Sequence, residues 1–145
     1  MNTAGRPELA SSVTARRHFD DLGFTLEGVS VAGVKTWLTV PQWHLSIDCG
    51  AVPPQVVRSR VLALTHGHMD HAGGIGIWLA MRRLHGLGKS TVLAPTTAVP
   101  ALRKVVETWE TLHRHPFDWE LIGVEPGDRF PLRKGLELEA LPADH

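Results

Sequence analysis

Arg60-Val61-Leu62-Ala63-Leu64-Thr65-His66-Gly67-His68-Met69-Asp70-His71-Ala72-Gly73-Gly74 is the stretch on which the reading of this chain turns. Up to Leu64 it is dominated by an apolar run, the pattern of a strand buried on both faces. That run opens directly onto three histidines and one aspartate within six residues. After the Gly73-Gly74 pair, Ile75, Ile77, Trp78, Met81 and Leu84 recur at helical spacing until Gly86 and Gly88 stop the pattern. Strand, polar loop and helix follow one another, and four metal-capable side chains stand at the strand's carboxyl end.

Working outward towards the N-terminus, His44-Leu45-Ser46-Ile47-Asp48-Cys49-Gly50 alternates polar and apolar residues, and Gly50 with Pro53-Pro54 ends the strand with Asp48 at its tip. Phe24, Leu26, Val29 and Val31, then Val34, Trp37, Leu38 and Val40, predict two further strands joined by an Ala32-Gly33 turn. Met1 to Arg17 is polar and without a period, so residues 1–20 are expected to be a flexible lead-in. Towards the C-terminus, Thr91-Val92-Leu93-Ala94 predicts a strand stopped by Pro95. Thr97 is the expected cap of a helix carrying Leu102, Val105, Val106, Trp109 and Leu112, with Pro100 in its first turn. Trp119–Val124 and Leu136–Leu141 alternate as strands. Strands first, then strand and helix units, indicate an α/β domain with a mixed sheet.

Composition narrows the class. The chain has 145 residues, of which 43% are hydrophobic, with 15 Lys plus Arg against 15 Asp plus Glu. That is one globular domain, and the zero net charge argues against a strongly basic nucleic-acid module. No signal-peptide core or run of about 18 apolar residues is present, so the expectation is a protein without membrane attachment. The single cysteine, Cys49, cannot form an internal disulfide, which makes the cytoplasm the expected compartment. Nine histidines make metal chemistry worth seeking.

The loop supplies that chemistry. Imidazole nitrogens and a carboxylate oxygen are the donors that zinc prefers. His66 and His68, two apart around Gly67, can converge on one ion, while Asp70 and His71 on the next turn face a second. Two ions about 3.5–4 Å apart are the recurring arrangement for hydrolysis of phosphate esters and related substrates. Helix capping needs one such group and not four. Met69 reads as packing or exposed, and Thr65 as a hydrogen-bonding loop residue. His85, His113 and His115 lie on or after helices away from the loop and read as surface residues.

His66-Gly67-His68-Met69-Asp70-His71 resembles the signature of the metallo-β-lactamase fold hydrolases. The context from Glu27-Gly28-Val29-Ser30-Val31-Ala32-Gly33 through Val40-Pro41 to Ile47-Asp48-Cys49-Gly50, and on to Gly73-Gly74, is similar to the short form of ribonuclease Z, the tRNA 3′-end processing endonuclease. The resemblance covers roughly residues 24–145 and implies a metallo-β-lactamase-like αββα sandwich with two zinc ions. It implies that His66, His68 and a later histidine hold the first ion, and His145, after a strand, is the candidate. Asp70 and His71 would hold the second, with Asp70 also orienting the attacking water or taking its proton. Asp48 matches the aspartate that supports the metal loop from behind, a role in which Thr65 is its candidate companion.

The complete fold of that family has a second half with a metal-bridging aspartate and a further histidine, and neither has a counterpart here. Residues 21–145 are therefore expected to correspond to the N-terminal half of the domain. The implied function is zinc-dependent cleavage of tRNA precursors at the 3′ end by metal-activated hydroxide, with a homodimer as the expected assembly. Alternatives are a hydrolase of a small ester, thioester or lactone, or a truncated non-catalytic metal-binding domain. Arg58-Ser59-Arg60, Arg82-Arg83, Arg103-Lys104 and Arg133-Lys134 are the basic groups available for phosphate contacts.

Overall fold

The computed structural model describes residues 14–143, and His145 lies outside the described residues. Nine strands and four helices run in the order β1 (Ala15–Phe19), β2 (Phe24–Val31), β3 (Lys35–Val40), β4 (Leu45–Ile47), α1 (Pro54–Val57), β5 (Val61–Ala63), α2 (Met69–Ala72), α3 (Ile75–Leu84), β6 (Ser90–Pro95), α4 (Val99–His113), β7 (Trp119–Val124), β8 (Arg129–Arg133) and β9 (Leu136–Glu139). Strands β1 to β7 form one mixed sheet in sequence order, and β8 pairs with β9 in a separate hairpin. The first four strands are antiparallel neighbours, and β4 to β7 are parallel.

That order explains the layering. Each parallel strand is followed by a helix and then by its immediate neighbour, always progressing in one direction. Because such crossovers share one hand, their helices fall on one face of the sheet. The larger core lies there: Trp37, Leu62, Trp78, Val92 and Val106 pack between strands and helices. On the opposite face Leu45, Val61 and Leu93 meet Leu132 and Phe130 of the β8–β9 hairpin. The mixed sheet with flanking helices expected from the sequence is what the chain adopts.

Two expectations are corrected, and one further strand was not anticipated. Part of the segment expected to be flexible, Ala15–Phe19, is the edge strand β1, paired antiparallel from Ala15↔Gly28 to Phe19↔Phe24. Its charged residues conceal it from a hydrophobic pattern but suit an edge, where Arg16 bonds Glu27 at 2.8 Å. Thr97 is not the cap of α4: the helix begins after Ala98 with no side-chain cap, led in by a 3₁₀ turn at Thr96–Ala98. Pro100 does occupy the first turn. Strand β8 went unread because Pro131 interrupts its ladder, and the register shifts there.

Trp78 has 0% exposure and its indole N–H donates to the Val56 carbonyl at 2.9 Å. Trp78→Ala is expected to destabilise the fold by about 3–5 kcal/mol in urea titration. Leu84→Ala on the same helix, at a residue 76% exposed, should change stability by less than about 0.5 kcal/mol.

Candidate functional site

The site forms where β4 and β5 end. Their parallel ladder continues one step further, Asp48 N–H donating to Ala63 O at 2.9 Å, so Asp48 and Thr65 emerge side by side. Asp48 then turns into the left-handed region at φ +59°, a conformation that Asp tolerates better than most residues. Its carboxylate, 2% exposed, is surrounded by donors. The Thr65 amide donates to Oδ1 at 2.8 Å, the Thr65 hydroxyl lies 2.8 Å from Oδ2, and His71 Nδ1 lies 2.7 Å from Oδ2.

A carboxylate offers only acceptors, so the network assigns its protons. His71 donates through Nδ1–H. The Thr65 hydroxyl has one hydrogen, committed to Asp48, so its oxygen accepts from His66 Nδ1 at 3.0 Å. In the neutral form of each ring this leaves the lone pair on Nε2, and a buried carboxylate orients the imidazoles, the usual support for metal-ligating histidine.

His68 caps the one-turn helix α2 through its backbone, with His71 N–H and Ala72 N–H both donating to its carbonyl. That turn places Asp70 beside His71. The ring of His66 lies 4.1 Å from that of His71 and 4.6 Å from that of His68, centroid to centroid. His71 Nε2 and Asp70 Oδ2 are 3.4 Å apart. This is long for a hydrogen bond, but two donors each about 2.0–2.1 Å from one tetrahedral ion stand roughly 3.3–3.4 Å from each other. Donor type and spacing of this pair fit a divalent metal. Among the described residues no group of three or more His, Cys, Asp or Glu side chains is placed to hold a metal ion together.

The expected loop residues are thus brought together, with Asp48 and Thr65 beneath them. His85, His113 and His115 are exposed. Two contributors escaped the sequence reading. Gly50 sits where a Cβ would overlap the Asp70 carbonyl oxygen, so only glycine lets the β4 exit pass under α2. Gly33, in the β2–β3 turn, donates its N–H to Asp70 Oδ2 at 2.8 Å. Its signal in the sequence was the turn itself, which carries no hint of a contact 37 residues away. Burial raises the Asp70 carboxyl pKa, yet the Gly33 amide, its own amide and the nearby His71 and His68 outweigh this and hold it below the usual value.

No protein-family model matches the chain. It is 28% identical over 123 residues to tRNase Z TRZ1 of Arabidopsis thaliana, covering 85% of this chain and 44% of that protein. It is 26% identical to the chloroplastic tRNase Z TRZ2 of Arabidopsis thaliana, covering 94% of this chain and 38% of that one. A nuclear ribonuclease Z of Triticum aestivum is 26% identical over 85% of this chain and 70% of its own length. The chain therefore spans less than half the length of the two Arabidopsis relatives. Among solved structures it is similar to the metallo-β-lactamase fold protein YhfI from Bacillus subtilis, with 14% identity, a TM-score of 0.46, and coverage of 75% of this chain and 40% of that one.

Two outcomes follow from this geometry. Asp48→Asn, which tolerates the same backbone but offers an amide where the ring needs a pure acceptor, should weaken the affinity for a divalent metal about 10–100-fold by calorimetry. Cys49 is buried with its thiol pushed up to about 12, by burial and then by the charge of Asp48. It should resist a disulfide reagent at mildly alkaline pH in the folded chain and react promptly in denaturant.

Proposed function

We propose that this chain carries the metal-binding half-site of a ribonuclease Z-like, zinc-dependent phosphodiesterase that cleaves tRNA precursors at the 3′ end. The observation that carries the reading is His71 held between two aspartates, Nδ1 on Asp48 at 2.7 Å and Nε2 facing Asp70 at 3.4 Å. Support comes from the tRNase Z relatives, whose similarity extends over most of the chain. His66 and His68, with His145 as their third partner, would hold one ion, and Asp70 with His71 the other. When bound, zinc supplies Lewis acidity towards a phosphodiester oxygen and towards water.

The chain's own residues do the rest. Asp48 and Thr65 keep the His66 and His71 rings in one tautomer and one orientation. Asp70, held as a carboxylate by the Gly33 amide, orients the attacking water and accepts its proton. Among the basic groups, Arg82 is withdrawn from any RNA contact: it is 3% exposed, donates to the carbonyls of Val57, Ser59 and Leu87, and lies against Trp78. Arg58 and Arg60 precede β5, at the sheet end opposite Thr65. Arg103 and Lys104, exposed near the start of α4, lie towards the end where β6 delivers the chain beside the site, and are the better placed phosphate contacts.

No described helix is long and apolar enough to cross a membrane. The unpaired, buried Cys49 suits a reducing compartment, and we assign the cytoplasm. A homodimer remains the proposed assembly.

Zinc content per chain by elemental mass spectrometry, followed by cleavage of a tRNA precursor, tests the reading. A stoichiometry near two with 3′-end cleavage supports it, and His68→Ala should remove cleavage while leaving thermal unfolding close to that of the parent. A zinc-loaded chain that hydrolyses a thioester or lactone and leaves tRNA precursor intact would shift the assignment to a small-ester hydrolase.

A further inference from the structure

The β2–β3 hairpin reaches the candidate metal residues, and one of its backbone donors bonds directly to Asp70. Its turn closes with Val34 N–H donating to Val31 O at 2.9 Å. Gly33 stands exposed in that turn at φ +69°, with open space where a Cβ would be. No packing demand calls for glycine there. The demand is conformational: the left-handed backbone directs the Gly33 N–H outward, and it ends 2.8 Å from Asp70 Oδ2. This is the oxygen that also faces His71 Nε2. The hairpin is tied to the site a second time, because Gly50 N–H donates to the Thr36 carbonyl at 2.9 Å while Gly50 lies against the backbone of Asp70. The turn is therefore held by the floor of the site, and its free donor is delivered to the carboxylate by rigid backbone.

We propose that the Gly33 backbone N–H is a positioning group that selects the Asp70 carboxylate orientation in which Oδ2 and His71 Nε2 face one metal ion. The inference rests on the metal reading of Asp70 and His71 given above. A carboxylate on a one-turn helix has several staggered orientations available. A charge-assisted bond from a fixed amide removes all but one before an ion arrives. The arrangement also makes the Ala32–Val34 turn a wall of the site, so that the conformation of an exposed hairpin and the affinity for an ion are coupled.

The test separates the bond, its consequence and the underlying reading. In the ¹⁵N-labelled, metal-free full chain, Asp70→Ala should move the Gly33 amide resonance upfield and reduce its exchange protection. Cobalt(II) binding, followed by visible absorption, is then compared across two substitutions at a position with room for either side chain. Gly33→Asn tolerates the left-handed backbone and should keep the parent affinity within about threefold. Gly33→Val does not tolerate it and should lose affinity by about tenfold or more, the range for groups that orient a ligand. Gly33→Ala, milder in its strain, should fall between them, with thermal unfolding recorded for each. A Gly33 amide indifferent to Asp70→Ala, or a folded Gly33→Val chain binding cobalt as the parent does, overturns the positioning role and leaves Asp70 a ligand. A parent chain that binds no cobalt overturns the metal reading itself, and the positioning role falls with it.

Discussion

The carboxylate of Asp48 is the group around which the functional end of this protein is arranged. It is buried, it sits in a left-handed backbone conformation, and its neighbours supply an amide, a hydroxyl and an imidazole N–H. A left-handed residue other than glycine costs roughly 1–2 kcal/mol. A buried carboxylate left without donors would cost more. The two costs are offset together, because the turn that strains the backbone is the turn that brings the carboxylate beneath Thr65 and His71. Removing any one partner would leave a buried carboxylate oxygen short of a donor, a costly loss.

Around that unit the backbone is stitched closely. Cys49 N–H donates to the His71 carbonyl at 2.6 Å, and Gly74 N–H donates to the Cys49 carbonyl at 2.9 Å. The β4 exit therefore runs alongside α2 as an extra pair of hydrogen-bonded strands would, and both are locked to β3 through Gly50 and Thr36. Side chains carried on such a frame lose little further freedom on meeting an ion or a substrate, which is the physical basis of preorganisation. The same stitching encloses the Cys49 thiol, which burial pushes up to about 12.

Further from the site, charge is distributed by structural need as much as by function. Arg82 is a cation used as a clamp: its guanidinium gathers carbonyls from the end of α1 and the loop that follows it, and from the loop after α3, with an indole face beside it. Its neighbour Arg83 is exposed and donates to the Pro116 carbonyl. A pair of adjacent arginines thus splits between interior and surface, as the helical rotation of about 100° per residue requires.

The sequence by itself determined the strands from Phe24 to Val124 and the two longer helices between them, the buried strand leading to the histidine loop, and the loop as a run of four candidate metal donors, though not the short helices α1 and α2. Those signals are local: apolar periodicity, glycine and proline punctuation, and four donors within six residues. It did not reveal β1, whose charged residues are held by pairing with β2, or β8, whose alternation is broken by Pro131. Nor did it reveal the reach of Gly33 to Asp70 or the burial of Arg82, because both depend on segments far apart in the chain meeting at one point. The Asp48 network lies between these cases. Its members were legible as candidates, but which nitrogen of each ring donates, and to what, was decided only when the β4 and β5 ends were set side by side by the parallel ladder.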